Sequence, residues 1–184
     1  MINVAVDVET TGLEFGTHEI VQIAVVILDK DFNVTSERFF SNIQPNRAEF
    51  ADPTAMKVNG LDLKYLEKHA PVVYEVLSSF RVWRYELFDD AIFYPLFHNG
   101  VFDVPFLKLL FPMGRYEQIF HYHTRDTFSV ARTMKDCGLI DPESCSLGKL
   151  AEYFGIVNDK PHHALEDAKT TAAVYRKLLE VLKK

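Results

Sequence analysis

The chain has 184 residues, 48% hydrophobic and 25% charged, a composition typical of a soluble globular protein that can bury a sizeable core. The net charge of −6 argues against a broad basic surface that coats nucleic acid, but not against acidic residues gathered around cations. No stretch approaches the roughly 20 apolar residues of a membrane helix, no basic leader precedes an apolar run, and two cysteines are too few for a disulfide framework. We therefore expect one cytoplasmic domain over residues 1–184, with reduced thiols and no membrane contact.

Three strands are predicted in the first quarter of the chain. Residues 2–9 alternate in polarity, residues 20–28 form a nearly continuous apolar run, and residues 34–43 follow a turn at 30–33. Such short connections favour an antiparallel meander.

Mainly helical patterns follow these strands. Two short helices are predicted over 53–59 and 62–68, and Pro71 is expected in the first turn of a longer helix that reaches about residue 87. Residues 91–97 indicate an apolar strand, although Pro95 is unusual inside one. The remaining patterns indicate a strand near 121–125 and helices over 103–110, 126–136, 147–154 and 164–182. This order predicts the α/β class, with a mixed sheet covered by helices.

Two carboxylates lie in the first predicted strand. Asp7 and Glu9 are two residues apart, so both side chains point to one face of the strand and the intervening valines point to the other. Buried carboxylates repel each other and resist desolvation, and a cation between them removes both penalties. Oxygen ligands suit Mg²⁺ or Mn²⁺ better than zinc. The alternative is a solvent-facing pair without function.

Two further acids lie at predicted helix starts. Asp103 follows the turn signal Asn99–Gly100, and Asp126 opens the segment RDTFSVAR. For each of them alone, capping of the helix N-terminus is the simplest interpretation, and for Asp126 a structural hydrogen bond is an equal alternative.

The segment PHHALEDA precedes and opens the last helix. Asp167 lies one turn into this helix, where the helix dipole favours a negative charge. His162 lies just before the helix, and the adjacent His163 is expected to be a surface or helix-start residue. The combination of these residues with the earlier acids indicates a shared site.

Three segments together resemble the exonuclease motifs of the DEDDh family, which includes DnaQ-like proofreading subunits. They are VDVETTGL, HNGVFDVPFL and HHALEDA, in the family's order. The segments DPTAMKVNGL, RDTFSVAR and SLGKLAEYFGI resemble further parts of DnaQ-like exonucleases, so the resemblance extends from Val4 to about Tyr175. It implies an RNase H-like fold, with a mixed five-stranded sheet flanked by helices.

The resemblance also implies a chemistry, namely 3′→5′ exonuclease action that releases nucleoside monophosphates with two divalent cations, Mg²⁺ or Mn²⁺. His162 would be the general base, because it has the family's spacing from Asp167. The implied metal ligands are Asp7, Glu9, Asp103 and Asp167.

Substrate contacts are implied for the residues after the first motif and in the second. They are Glu9, Thr10, Leu13 and Phe102. For Leu13 and Phe102, packing in the apolar core is an equally good interpretation.

Several alternatives stay open at this point. Single-stranded DNA is the favoured substrate, in proofreading or repair and with a polymerase or repair complex as a potential partner. An RNA-trimming or oligoribonucleotide exonuclease is the nearest rival, and Thr10 argues mildly against the oligoribonuclease branch, where Met is usual. A non-catalytic binding subunit and a nucleotide phosphatase are less favoured. The sequence does not decide the oligomeric state or the choice between Mg²⁺ and Mn²⁺.

Overall fold

The centre of the fold is a five-stranded mixed sheet, in a computed structural model that describes residues 1–112 and 114–183. Its strands are β1 (Ile2–Thr10), β2 (Ile20–Leu28), β3 (Val34–Asn42), β4 (Phe93–Phe97) and β5 (Arg125–Asp126). Their spatial order is β3-β2-β1-β4-β5; β1 to β3 form an antiparallel meander, and β4 and β5 continue the sheet parallel to β1. The α/β class and the mixed sheet are confirmed, and the expected strand near 121–125 is the short β5.

Helices cover both faces of the sheet. They are α1 (Pro53–Asn59), α2 (Leu63–His69), α3 (Val73–Phe88), α4 (Gly100–Leu110), α5 (Arg115–Ile119), α6 (Thr127–Asp136), α7 (Leu147–Phe154) and α8 (Ala164–Leu182). The expectation for Pro71 is wrong, because this residue precedes the N-cap Val72 and lies outside α3. Helix α4 begins three residues earlier than expected. Within the described residues, no helix is both long and apolar enough to span a bilayer.

The alternation along β1 separates two apolar layers. Val4, Val6 and Val8 belong to the larger cluster, together with residues of α3 and α4. Ala5 faces the opposite side, where α8 packs on the sheet through three alanines, Ala164, Ala168 and Ala172. These small side chains allow α8 to approach β1 closely, so the residues that follow Ala5 on this face lie beside the start of α8.

Pro95 is tolerated in β4 because the neighbouring strand β5 is too short to pair with it. On one side it is paired with Val4 of β1, and on the other side β5 pairs with Leu96 and Phe97. Within the described residues the β5 ladder therefore does not need an N–H from Pro95, which has none to donate.

Candidate metal centre

The centre is built on the end of β1 that extends past β4. Pairing between these strands runs from Ile2 to Ala5, so β1 has an open edge at Asp7 and Glu9. Both side chains are half-buried and lie on the face that carries Ala5. The two acids of the sequence prediction therefore point toward the side where α8 begins.

Asp103 reaches this open edge from the first turn of α4. The chain turns from β4 into α4 at Asn99, which has a left-handed φ of 64°. Asn99 is the N-cap residue, so the interpretation of Asp103 as a cap is wrong. Asp103 is 4% exposed, and the backbone of Val8 lies close enough to its carboxyl group to oppose the rise in pKa that burial causes. Asp103 thus lies against β1 between Asp7 and Glu9.

Asp126 fixes the helix that carries Asp103. Its Oδ1 accepts the N–H of Ser129 at 2.8 Å, which confirms Asp126 as the cap of α6. Its Oδ2 accepts the N–H of Gly100 at 2.7 Å, at the first residue of α4. One carboxylate therefore joins the starts of two helices.

Asp167 enters the centre from the first turn of α8. Its Oδ1 accepts the side-chain amide of Asn158 at 2.6 Å, and its Oδ2 accepts the N–H of His162 at 3.0 Å. Burial raises the pKa of the Asp167 carboxyl, while these hydrogen bonds oppose the rise. His162 is exposed and has a φ of 60°. A ring nitrogen of His162 and carboxylate oxygens of Glu9 and Asp167 lie within 4.8 Å of one another.

The neighbouring His163 has a different environment. It is half-buried and forms the N-cap of α8, so its expected place at the helix start is confirmed. Its ring stacks on Phe40, with 5.0 Å between ring centroids. His162, and not His163, therefore faces the carboxylates.

The start of α8 is anchored to the sheet by a buried glutamine. Gln22 lies opposite Glu9 in the β1–β2 ladder and is 2% exposed. Its Oε1 accepts the N–H of Ala164 at 2.9 Å, and its Nε2 donates to Oδ1 of Asn42 at 2.8 Å. These bonds fix the helix end that carries Asp167 relative to β1.

Burial and mutual repulsion keep the carboxyls of this centre from ionising together. Burial, followed by repulsion from Asp103, Asp167 and Glu9, raises the pKa of Asp7 well above its usual range. Burial and then Asp167 raise the pKa of Glu9 to about 7. Burial also raises the pKa of Asp103 to about 8, against two backbone hydrogen bonds.

Divalent cations fit this donor set. Four carboxyl groups offer oxygen ligands at the open edge of β1, and carboxylate oxygens of Glu9 and Asp167 lie within 4.8 Å of each other. A cation would offset the burial that raises the pKa of all four groups, and also the repulsion that adds to the rise for Asp7, Glu9 and Asp103. The hydrogen bonds to Asp167 leave a lone pair on each of its oxygens, so this side chain can bind a metal while it stays oriented.

A pocket of about 260 Å³ adjoins the centre and contains the four residues expected to contact substrate. Leu13 is 75% exposed, so its interpretation as a core residue is wrong. Phe102 is half-buried and packs on Phe106 with 5.1 Å between ring centroids, while it also lines the pocket. Glu9 and Thr10, at the end of β1, are the other two of these four residues. The remaining lining comes from β1, from α1 and from its cap: Val8, Asp52, Thr54, Ala55, Val58 and Asn59.

Three polar residues of the site had no place in the sequence prediction. Gln22 interrupts an otherwise apolar strand, and this was a signal of a buried polar contact. Asn158 lies in the connection before α8, where no periodicity distinguishes it from other loop residues. Asn59 donates from its side chain to the carbonyl oxygen of Thr10 at 3.2 Å, which ties α1 to the end of β1.

The chain matches the RNase_T family model, described as "Exonuclease", over residues 4–175. Among curated proteins it is 31% identical to a DNA polymerase III PolC-type protein of Caldanaerobacter subterraneus over 179 residues, which are 97% of this chain and 12% of the relative. It is 29% identical to the 3′-5′ exonuclease DinG of Bacillus subtilis, over 98% of this chain and 18% of the relative. The chain thus spans less than a fifth of these relatives.

Solved structures share the fold. Exonuclease I of E. coli in complex with a dT13 oligonucleotide has a TM-score of 0.78 and 22% identity, over 96% of this chain and 40% of that chain. Exonuclease I of Methylocaldum szegediense has a TM-score of 0.78 and 19% identity, over 97% and 40%. The expected RNase H-like architecture is thereby confirmed.

Proposed function

We propose that this chain, which belongs to the RNase_T family of exonucleases, is a metal-dependent 3′→5′ exonuclease. It would release nucleoside monophosphates from nucleic acid. The convergence of Asp7, Glu9, Asp103 and Asp167 on the open edge of β1 carries the proposal. Their raised pKa values support a role as cation ligands, because such a group of buried acids gains from bound positive charge.

These four acids would hold two divalent cations, Mg²⁺ or Mn²⁺. When bound, such a pair supplies an activated water on one side of the phosphodiester and stabilises the leaving 3′ oxygen on the other. Burial raises the pKa of Asp7, and repulsion from all three other acids raises it further, so Asp7 lies near each of them. The family resemblance implies that Asp7 is shared by both cations, and this position supports that role.

His162 would take the proton of the attacking water. Its ring lies near Glu9 and Asp167 and remains exposed, so the imidazole can reach both the centre and solvent. Imidazole suits this role because it exchanges protons near neutral pH. The hydrogen bond from the His162 N–H to Asp167 holds the base beside the acids.

The pocket beside the centre would receive the terminal nucleotide. Glu9 borders both pocket and centre, which suits a contact near the 3′ hydroxyl. The exposed Leu13 would wedge beside the base and Phe102 would stack on it, a contact worth about 1–3 kcal/mol. Thr10 would shape the turn below them, because its hydroxyl donates to the carbonyl oxygen of Gly12 at 2.6 Å.

We favour single-stranded DNA as the substrate. The relatives named as a DNA polymerase and as a 3′-5′ exonuclease, and the related fold solved with dT13, support this choice. We further propose one exonuclease domain over residues 1–184, cytoplasmic, acting in proofreading or repair with a polymerase or repair complex.

The test uses matched single-stranded DNA and RNA oligomers labelled at the 5′ end, with Mg²⁺ or Mn²⁺ and an EDTA control. We expect a ladder that shortens from the 3′ end, requires metal and forms faster on DNA. Faster RNA cleavage would instead identify an RNA-trimming enzyme. Asp7→Ala should abolish the ladder without unfolding the chain, and full activity of this variant would refute the metal assignment.

A further inference from the structure

The connection between α1 and α2 is fixed beside the pocket. Asn59, the last residue of α1, lines the pocket and is bonded to Thr10 of β1. Its Oδ1 accepts the N–H of Leu61 at 3.0 Å, and α2 begins two residues later. Leu66 is 1% exposed and anchors α2 in the core. The outer side of α2 is thus exposed to solvent, on a helix that begins four residues after the pocket-lining Asn59.

This outer side carries two rings that are already stacked. Tyr65 and His69 have ring centroids 4.5 Å apart and ring planes inclined by 25°. Because a carbonyl oxygen only accepts, His69 Nδ1 donates to the oxygen of Tyr65, at 3.1 Å, and this bond fixes the pair. Tyr65 is 55% exposed. A fixed, exposed ring pair can stack on a nucleobase with little loss of side-chain entropy.

Unpaired positive charge accompanies the rings. Lys57, Lys64 and Lys68 are exposed, and among the described residues none of the three forms an ion pair. Lys64 and Lys68 are four residues apart and therefore share one side of α2, with Tyr65 and His69 next to them in sequence. Over residues 57–69 the three lysines outnumber the two acids, Asp62 and Glu67, whereas the whole chain has a net charge of −6.

We propose that the α1–α2 surface, formed by Lys57, Lys64, Tyr65, Lys68 and His69, binds single-stranded nucleic acid upstream of the 3′ terminal nucleotide. The inference rests on the proposed exonuclease function, which puts the 3′ end in the adjacent pocket. The ring pair stacks on a base and the lysines contact phosphates, so binding is tolerant of sequence. The surface gives an acidic protein a local site for a polyanion.

A binding measurement tests the surface without catalysis. Binding of a labelled single-stranded DNA in EDTA is measured by fluorescence anisotropy. The dissociation constant of Tyr65→Ala should be at least about fivefold higher than that of wild type, because a lost base stack is worth about 1–3 kcal/mol. Tyr65→Phe should restore affinity. The matched control is Tyr122→Ala, which removes a tyrosine that is 74% exposed and also lies against a histidine ring. Equal affinity of wild type and Tyr65→Ala would overturn the proposal.

Salt dependence and kinetics separate the surface from the active site. Lys64→Ala should reduce the slope of log affinity against log salt by about 0.7, the value for one phosphate contact on a single strand. Tyr65→Ala should raise KM about fivefold for long oligomers, since base stacking is worth about 1–3 kcal/mol, and leave cleavage of a dinucleotide unchanged. If binding depends on Tyr65 but no substrate is cleaved, the exonuclease function is refuted and the binding surface is supported. If cleavage is normal and Tyr65→Ala leaves KM unchanged, the exonuclease function is supported and the binding surface is refuted.

Discussion

Asp167 uses both carboxyl oxygens to hold the segment that precedes α8. The side chain of Asn158 orients Oδ1. We expect Asn158→Ala to lower Mn²⁺ affinity about tenfold or more, because losing a partner that orients a metal ligand typically costs about 10–100-fold. Isothermal titration with Mn²⁺ measures the change. Asn33→Ala is the matched control, since it removes a 2.8 Å Asn–Asp side-chain bond in an exposed turn. Equal losses in both variants would contradict the role of Asn158.

The two adjacent histidines allow a direct test of the general base. His162→Ala should lower turnover by about 10²–10⁴, the usual contribution of a positioned base. His163→Ala should keep turnover and lower stability by about 1 kcal/mol, because it removes a ring stacked on Phe40. Single-turnover kinetics and urea unfolding of both variants give the comparison. The reverse pattern in turnover would assign the base to His163.

Sequence reasoning at the residue scale worked where a residue type was rare in its setting. Asp7 and Glu9 stand out because carboxylates are unusual in a buried strand, and the structure brings them beside Asp103 and Asp167. Asn158 does not stand out, because an amide is ordinary in a loop, and its bond to Asp167, nine residues further along, matches no local turn or capping pattern. Leu13 was ambiguous because an apolar residue after a strand fits a core or an exposed edge equally well.

The Asp126 side chain joins the starts of α4 and α6 by hydrogen bonds to both. Asp126→Ala should remove a cap and the bond to Gly100, and lower the free energy of unfolding by about 2 kcal/mol. It should also reduce turnover, since α4 positions Asp103. Urea unfolding and the oligomer assay measure the two effects. Asp62→Ala, which removes one 3.2 Å cap bond from α2, is the control for the unfolding measurement. If Asp126→Ala loses no more free energy of unfolding than the control, Asp126 does not stabilise both helix starts.

Elements with strong local signals were predicted to within a few residues. Strand β2 and helix α8 have long apolar patterns, and α1 has both a capping Asp52 and a terminal Gly60 in the left-handed region. Helix α5 has five residues, which is too short for a periodic pattern to emerge. Element boundaries thus followed local chemistry, and misses occurred where tertiary packing decides.

At the scale of the whole molecule, the strand order places β1 at the centre of the sheet. Local patterns predicted the meander of β1 to β3, whereas the parallel pairing of β1 with β4 joins residues about 90 positions apart. That pairing, together with the early end of β4, creates the open edge where the acids meet. Non-local pairing of this kind has no signature in the periodicity of either strand, so the family resemblance supplied it.

In the metal-free chain, the clustered acids should make the free energy of unfolding fall as pH rises, whereas acids with lowered pKa values make it rise. The folded pKa values of Glu9, about 7, and Asp103, about 8, lie above those of the unfolded chain. The folded state therefore binds more protons, and the stabilising contribution is full below about pH 4 and lost as pH rises through 7 and 8. Burial lowers the pKa of His98 to about 4. This histidine therefore makes the free energy of unfolding rise with pH up to about 6.5, which opposes the effect of the acids. The window from 6.5 to 8 isolates the acids.

Urea unfolding in EDTA should accordingly show the free energy of unfolding decreasing from about pH 6.5 to pH 8. Asp103→Asn should flatten this dependence, because it removes the group that titrates at about 8. Mg²⁺ should stabilise wild type increasingly over the same window, since it binds the ionised acids and the folded state alone assembles them. A free energy of unfolding that rises with pH in EDTA would mean that the acids are ionised and stabilised without metal. The balance between protons and cations in one buried cluster would then not govern the stability of this fold.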